Sequence, residues 1–331
     1  MHKIQKLIKL LLPLAFGVGI VWFIMQKVDM QQLFDTIQSG ISWSWVIISW
    51  ILALFANVFR GVRWRQQLRT VGIDPSLHDM TVSFFGNYGM NLVFPRLGEV
   101  WRCNYIANSN DKPFSTVAGT ILSERLCDIL SMLVYLLLCM IFESRVLVRF
   151  FFGDEEGGAV DVETRYSLWL WLLVVCAACF IIYQVLHRYC RNWAPYRYMC
   201  EVLGNVWVGF RSLKDLPNIW SYIGWSMLIW FFYFLNTLTQ FYFFGFTEHL
   251  GINACLAVFV MGSLAQILPI QGGLGAWQIM VIFALMLYGI SESDAGIFSV
   301  VAWTLEQFFV LVMGFYALIY VAMRKQRNDK D

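Results

Sequence analysis

The sequence predicts an all-α polytopic membrane protein, built as a single integral membrane domain over residues 1–331. We expect about six full transmembrane helices and two re-entrant or broken helical hairpins. Hydrophobic residues make up 59% of the chain and charged residues 14%, against roughly 45–50% and 25% in soluble domains. Apolar runs of membrane-crossing length recur along the chain, and two shorter apolar runs end at proline and glycine.

Six apolar runs approach the roughly 20 residues that a membrane-spanning helix needs. They lie at 10–25, 42–59, 115–142, 167–186, 219–246 and 297–323. The first run follows Lys3, Lys6 and Lys9 as a signal sequence would, but it lacks a small-x-small cleavage site. Because it leads directly into further membrane segments, we expect it to be an uncleaved first helix.

The distribution of basic residues predicts that both termini are cytoplasmic. With that topology, all but five of the 24 Lys and Arg residues lie in inner segments, as the positive-inside rule requires. The inner set includes a group assigned to the loop after the second span, Arg60, Arg63, Arg65 and Arg69. The five exceptions are Lys27, Arg145, Arg149 and Arg165 outside and Arg125 within a span.

Two longer polar segments complete this topology. The outer loop at 143–166 contains GDEEGGAVDVE and is too short and polar for a catalytic domain, so we expect a solvated loop. The inner segment at 187–217 interleaves aromatic and basic residues, which is typical of a helix at the lipid headgroups. A cytoplasmic connector with an aromatic belt explains the same pattern.

Two undersized apolar runs predict the broken hairpins, near 77–110 and 254–289. The run at 77–93 is followed by PRLGEVWR, and the run at 254–268 is followed by PIQGGLGAWQ. The turn residues are Pro95, Gly98, Pro269, Gly272, Gly273, Gly275 and Gln278. Proline removes a backbone donor and glycine permits unusual dihedrals, so each break frees polar backbone groups that must be buried in protein or line a wet cavity.

The topology places the first break towards the cytoplasm and the second towards the outside. Two interrupted segments of opposite direction indicate an inverted repeat with a central binding site. Ordinary kinks are the alternative for either break taken alone, because glycine and proline are frequent in transmembrane helices.

Charged residues within predicted spans indicate a hydrophilic groove. Glu124 and Asp128 are four residues apart on one helix face, and charges at such depth face a cavity or a partner. Glu306 is a second acidic position, which must pair with a remote arginine, bind a cation or carry a proton. The predicted headgroup groove comprises Arg96, Glu99, Arg102, Glu124, Arg125, Asp128 and Glu306. A buried ion-pair cluster that fastens a hairpin to a span is the alternative.

The remaining patterns exclude several classes. The eight cysteines lie mostly in apolar sequence, and the CxxC of Cys176 and Cys179 is itself within an apolar run, so we expect neither a metal site nor a disulfide. The net charge of +2 does not indicate a nucleic-acid partner. No nucleotide-binding P-loop or hydrolase motif is present, and we expect no catalytic residues and no cofactor.

Four short motifs occur in a defined order: RGVRWRQ from Arg60, FPRLGEVWR from Phe94, SERLCD from Ser123 and LPIQGGLG from Leu268. Together they resemble the flippase-like transmembrane family typified by the N-terminal membrane domain of lysylphosphatidylglycerol synthase, the multiple peptide resistance factor. The resemblance covers nearly the whole chain. One departure is Gln278, where the family often carries a glutamate shortly after the glycines, and it puts a cationic lipid substrate in doubt.

The resemblance implies a lipid-translocating or lipid-handling module in the bacterial cytoplasmic (inner) membrane. Only eight residues follow position 323, so we expect no cytosolic synthase domain. Arginines would bind lipid phosphate and carboxylates a cationic headgroup, which suits a zwitterionic or aminoacylated phospholipid. We therefore expect a flippase-like transporter. The alternatives are a membrane-embedded enzyme acting on a lipid headgroup and a non-transporting partner of a lipid-synthesis enzyme, and a homo-oligomer is compatible with each.

Overall fold

The computed structural model describes residues 30–93, 97–152, 216–266 and 273–328, together with positions 19, 22, 26 and 184. These residues form helices joined by short turns, with no strand among them, which confirms the all-α prediction. The helices are α1 (Met30–Asp35), α2 (Trp43–Thr70), α3 (Leu77–Val93), α4 (Gly98–Ser109), α5 (Phe114–Phe142), α6 (Ser144–Phe152), α7 (Ile219–Phe241), α8 (Ile252–Ala265), α9 (Ala276–Met286) and α10 (Glu292–Asn328). A π-helical turn, Thr36–Gly40, follows α1.

Three helices of the described residues are long and apolar enough to cross a membrane: α2, α5 and the segment Glu292–Arg324 of α10. They correspond to three of the predicted spans. Helix α7 has 23 residues and is also of crossing length, but its tryptophans, tyrosines and polar side chains dilute its hydropathy. The predicted spans at 10–25 and 167–186, and the interfacial segment up to residue 215, lie outside the described stretches.

Two loop predictions are corrected by the helix boundaries. Helix α2 continues without interruption to Thr70, so Arg60 and Arg63 lie within it and are buried rather than in a loop. The predicted outer loop begins with helix α6, whose Val146, Leu147 and Val148 are buried. In the first case a basic side chain marked the end of the apolar run without ending the helix, and in the second a separate helix follows where α5 ends.

The chain forms two compact units, which divide within α5 after Ile121. The first unit comprises residues 1–121 and 216–331, and the second comprises residues 122–215. In the second unit, the backbone N–H of Glu143 donates to the carbonyl of Cys139 at 2.7 Å, and that of Val146 donates to Glu143 at 3.1 Å. These bonds make the turn from α5 into α6.

Helices α2 and α7 of the first unit pack side by side in antiparallel directions. Trp45 near the start of α2 stacks on Tyr242 just after α7, with ring centroids 4.7 Å apart. At the opposite end, Gln66 donates to the Ser221 hydroxyl at 3.0 Å. Phe59 packs between these ends, 5.0 Å from the Phe232 ring. Residues of this helix pair contribute to both polar clusters of the candidate site.

Helix α3 crosses α10 at a glycine pair. A Cβ on Gly314 would lie 2.6 Å from the Cα of Gly89, and a Cβ on Gly89 would lie 2.9 Å from the Cα of Gly314. Since real Cβ atoms do not approach so closely, only glycine at both positions allows this backbone contact. The crossing holds α3 against the longest helix of the chain.

The two predicted hairpins are present as pairs of short helices that pack on each other, α3 with α4 and α8 with α9. Their lengths of 17, 12, 14 and 11 residues correspond to about 25, 18, 21 and 16 Å. Each is shorter than the hydrocarbon core of about 30 Å. The predicted broken segments are therefore confirmed as helical hairpins, and their entry from opposite membrane faces stays a prediction.

Candidate functional site

Two buried arginines of the first unit, Arg60 and Arg102, lie over aromatic rings, and a third, Arg63, precedes one of these ring residues in sequence. We call Arg60, Arg63, Trp64, Phe84 and Arg102 the arginine–aromatic cluster; each is at most 9% exposed. Helix α2 supplies the first three residues, α3 supplies Phe84 and α4 supplies Arg102. Arg63 and Trp64 follow Arg60 by three and four residues, so each is a neighbour of Arg60 on the surface of α2.

Ring faces contact two of the guanidinium groups. The Cζ of Arg102 lies 4.4 Å from the centroid of the Trp64 ring and 4.5 Å from that of Phe84. The Cζ of Arg60 lies 4.9 Å from the centroid of Phe84. Guanidinium groups at this distance from a ring face are stabilised by the ring quadrupole, by about 2 kcal/mol when water is excluded. Phe84 therefore links Arg60 to Arg102.

Hydroxyl groups position the arginines of α2. Arg60 donates to the hydroxyl of Tyr88, on the next turn of α3, and more weakly to that of Tyr233 at 3.4 Å. Arg63 donates to the Ser226 hydroxyl at 3.1 Å. The Trp64 indole donates to Thr120 at 2.8 Å, which fixes the ring beneath Arg102. These contacts hold the cluster in one orientation.

A second polar cluster surrounds Glu306, and we call Ser49, Asn236, Gln240 and Glu306 the Glu306 cluster. The Oε1 atom of Glu306 accepts from the Ser49 hydroxyl at 2.9 Å and from the amide groups of Asn236 at 3.0 Å and Gln240 at 3.4 Å. Asn236 also donates to the Ser49 carbonyl at 2.9 Å. The carboxylate of α10 therefore connects α10 to both members of the α2/α7 pair.

The first predicted hairpin turn is partly described. Pro95 and Arg96 lie outside the described residues, and Glu99 is half-buried on α4. Gly98 begins α4, where its N–H donates to the Asn91 side chain at 2.9 Å. A Cβ at Gly98 would lie 2.1 Å from the Asn87 carbonyl oxygen, so α4 starts in direct contact with α3.

The second predicted turn ends at a glycine that begins α9. Pro269 and Gly272 lie outside the described residues. Gly273 and Gly275 have φ angles of +68° and +83°, which are strained for other residues. Gln278 is 1% exposed, and its side-chain oxygen accepts from the Gly275 N–H at 2.7 Å. A glutamate oxygen can accept the same bond, so Gln278 acts in this structure as a helix cap.

The charged residues of the predicted groove that the structure describes are divided between the two units. Glu124, Arg125 and Asp128 belong to the second unit, whereas Glu99, Arg102 and Glu306 belong to the first. Glu124 is fully buried, while the side chain of Arg125 is 44% exposed and lies 4.0 Å from the Asp128 carboxylate. Arg125 therefore lies on an exposed side of α5. The predicted groove that contains all seven residues stays a prediction.

Two groups of ion pairs lie at helix ends. One is at Asp74 in the α2–α3 connection, and the other is at Asp79 near the start of α3. Asp74 accepts from Arg65 at 2.6 Å and from Arg69 at 2.9 Å. These hydrogen bonds, with that from Arg69 having the larger effect, hold the pKa of the Asp74 carboxyl below its usual range. Asp79 accepts from the hydroxyl of Tyr105 at 2.7 Å and from Arg324. The second pair joins α3, α4 and the end of α10.

Several residues of both clusters were not predicted from the sequence. The charge pattern predicts a loop at Arg60 and Arg63, and it does not indicate the neutral partners of Glu306. A usable signal for these partners exists in α7, where LNTLTQ places Asn236 and Gln240 four residues apart within an otherwise apolar helix. Polar side chains at that spacing share one face, which indicates a buried polar contact.

Membrane-length helices, paired short hairpins and charged side chains in the interior together define a polytopic helical membrane protein. The chain belongs to the family described as the lysylphosphatidylglycerol synthase TM region, which matches residues 10–314. This match confirms the predicted family resemblance and identifies an integral membrane protein related to lipid synthase membrane domains. No curated protein and no solved structure matches the chain.

Proposed function

We propose that this protein translocates a phospholipid or related amphiphile between the leaflets of the cytoplasmic membrane. The lipid phosphate would bind at the arginine–aromatic cluster. The observation that carries the proposal is a gathering of three buried arginines: Arg60 and Arg102 lie over the rings of Phe84 and Trp64, and Arg63, next to Trp64 on α2, lies over Tyr222.

Placing an arginine inside the membrane is unfavourable. Insertion scales give a free-energy cost of about 2.5–3.5 kcal/mol for an arginine at the centre of a transmembrane helix. Three such residues on two adjoining elements therefore favour a role in function over a role in folding. An intramembrane charge is by default a functional-site hypothesis, and the hydroxyl and ring contacts keep the guanidinium groups oriented.

The chemistry of the cluster suits a phosphate group. A guanidinium is planar and binds two phosphate oxygens through its N–H edge, whereas ring faces contact its plane. The two interactions use different surfaces of the same group, so aromatic packing and phosphate binding are compatible. Lysine would lose both the fork and the planar contact.

The hairpins supply a route to the cluster. Arg102 lies on α4, directly after the break that contains Pro95 and Arg96, and α4 contacts α3 closely at Gly98. We propose that the headgroup enters beside this hairpin while the acyl chains stay in lipid. Glu99, on the same helix as Arg102, is proposed to contact the cationic part of a zwitterionic or aminoacylated headgroup.

The proposal is tested by leaflet exchange in liposomes that contain the purified protein and a fluorescent phospholipid. We expect exchange above that of empty vesicles, and an approximately tenfold or greater loss in Arg102→Gln, since a hydrogen bond to a charged group contributes about 1.5–3 kcal/mol. Arg69→Gln is the matched control, because Arg69 lies on α2 but is half exposed and pairs with Asp74.

The rival functions give different results in the same vesicles. A changed headgroup without exchange, detected by mass spectrometry of the lipids, would identify a membrane-embedded enzyme. Neither exchange nor product would favour a non-transporting partner of a lipid-synthesis enzyme. Equal loss of exchange in Arg102→Gln and Arg69→Gln would contradict the assigned role of the cluster.

A further inference from the structure

Glu306 carries a carboxyl group within a membrane-length helix, and its described hydrogen-bond partners are all neutral. Ser49 on α2 and Asn236 and Gln240 on α7 donate to the same oxygen, Oε1. The three partners are each at most 8% exposed. The carboxyl group is thus held at the junction of three helices by an O–H and two amide groups.

The charged and titratable groups of the surrounding helices contact other residues. On α2 the nearest charged residue is Arg60, eleven positions after Ser49, or about 16 Å along the helix axis. On α9 there is no titratable residue. The other titratable side chains that the structure describes on these helices have partners elsewhere. On α2, Arg60 contacts Tyr88 and Tyr233, Arg63 contacts Ser226, and Arg65 and Arg69 contact Asp74. On α3 and α10, His78 contacts Tyr316, Asp79 contacts Tyr105 and Arg324, and Asp294 contacts Ser291. Tyr242, just after α7, stacks on Trp45. Tyr222 contacts the Arg63 guanidinium, Tyr320 contacts His78, and Glu292 is exposed at the start of α10.

An ionised carboxylate at this depth is unfavourable without a cation. A proton removes the charge without requiring a coordination shell. The amide of Gln240, whose nitrogen lies 3.4 Å from Glu306 Oε1, also carries a buried oxygen that has no hydrogen-bond partner among the described residues. Three donors therefore serve the ionised form, and the same cluster contains a group able to accept a hydrogen bond from the protonated form.

We propose that the Glu306 cluster is a reversible proton-binding site that couples lipid movement to a proton gradient. This inference rests on the proposed transport function, which left the driving force open. Binding converts the Glu306 carboxylate and one proton into the neutral acid, and release reverses this, with no other reactant. Because the carboxyl group ties α10 to α2 and α7, and α2 also carries Arg60 and Arg63, each protonation changes the charge on the frame that holds the arginines.

Infrared difference spectroscopy of the reconstituted protein tests the site without any measurement of transport. Changing the pH should produce the carbonyl stretch of a protonated carboxylic acid, shifted on deuteration. The band should be absent in Glu306→Gln and present in the matched control Glu292→Gln. Should Glu306→Gln fail to fold, Glu306→Asp provides a second variant, in which the band should move in frequency.

A band that persists unchanged in both Glu306 variants would overturn the proposal. So would the absence of a titrating acid band at every pH, which would mean a permanently ionised or permanently protonated group. In vesicles with active exchange, an imposed pH gradient should change the exchange rate in the parent protein and not in Glu306→Gln.

The two proposals fail separately. If the parent protein shows no lipid exchange but the acid band titrates, the transport function fails and the proton site stands. If exchange occurs and the band does not depend on Glu306, the proton site alone is wrong.

Discussion

The guanidinium of Arg102 lies against both Trp64 and Phe84, so aromatic faces replace water around a fully buried cation. The sequence identified Arg102 as a site residue because it follows a broken segment. It did not identify Arg60 and Arg63, because a pattern of charge near the end of an apolar run predicts a loop as readily as a helix. Only the packing of α3 and α7 against this end of α2 shows that the segment is a helix and not a loop.

Asp74 gives a prediction about pH. Arg69 and Arg65 lower the pKa of Asp74 in the folded protein. The ionised carboxylate therefore stabilises the folded state above the unfolded pKa of about 3.9. This stabilisation is lost as the pH falls through the folded pKa. Asp74→Asn should therefore lower the thermal midpoint slightly at neutral pH, with a small effect because the carboxyl is exposed.

The midpoint should be measured in detergent across the acidic range, beside the parent protein. The difference between parent and Asp74→Asn should disappear at low pH, where Asp74 is protonated in both states of the parent. A difference that stays constant into acid would contradict the assigned ion pair.

The hairpins are the elements that the sequence predicted most fully. Proline and glycine after runs too short to span the membrane indicated both breaks, and α3/α4 and α8/α9 are the result. The sequence did not predict the contact between Gly89 and Gly314, because these glycines are 225 positions apart and neither lies at a break. A close helix crossing depends on two distant residues together, and no local pattern reports it.

The glycine crossing predicts that an added methyl group separates α3 from α10. Gly314→Ala should destabilise the protein by about 1–3 kcal/mol, the usual range for overpacking, as measured by thermal unfolding in detergent. Gly224→Ala is the matched control: it lies in α7, has open space around it, and should be neutral or slightly stabilising. Equal effects of the two substitutions would contradict the close crossing.

The opposite orientation of the hairpins is testable by labelling. Leu97 and Gln266 adjoin the two breaks and are exposed, while the described cysteines, Cys103, Cys127, Cys139 and Cys255, are buried. In oriented vesicles, a membrane-impermeant thiol reagent should label Leu97→Cys from the cytoplasmic side and Gln266→Cys from the outside, above the background of the parent protein. Labelling of both from one side would show that the hairpins do not enter from opposite faces.

At the scale of the whole molecule, composition and hydropathy predicted the fold class and three of the spans, and four short motifs in a fixed order predicted the family resemblance. These properties are summed over many residues, so individual errors have little effect. The partners of Glu306 were missed because they come from α2 and α7, and a sequence does not state which helices pack together. The same limit applies to Glu124 and Asp128, whose shared helix face was predictable from their spacing but whose partners were not.

The central claim is that the arginine–aromatic cluster binds lipid phosphate during transfer between leaflets. The most direct measurement compares leaflet exchange of a fluorescent phospholipid with that of a glycolipid that lacks phosphate, in vesicles containing the parent protein or Arg102→Gln. We predict that Arg102→Gln slows exchange of the phospholipid about tenfold or more and changes exchange of the glycolipid much less. An equal loss for both lipids, with the protein folded, would contradict phosphate binding at Arg102.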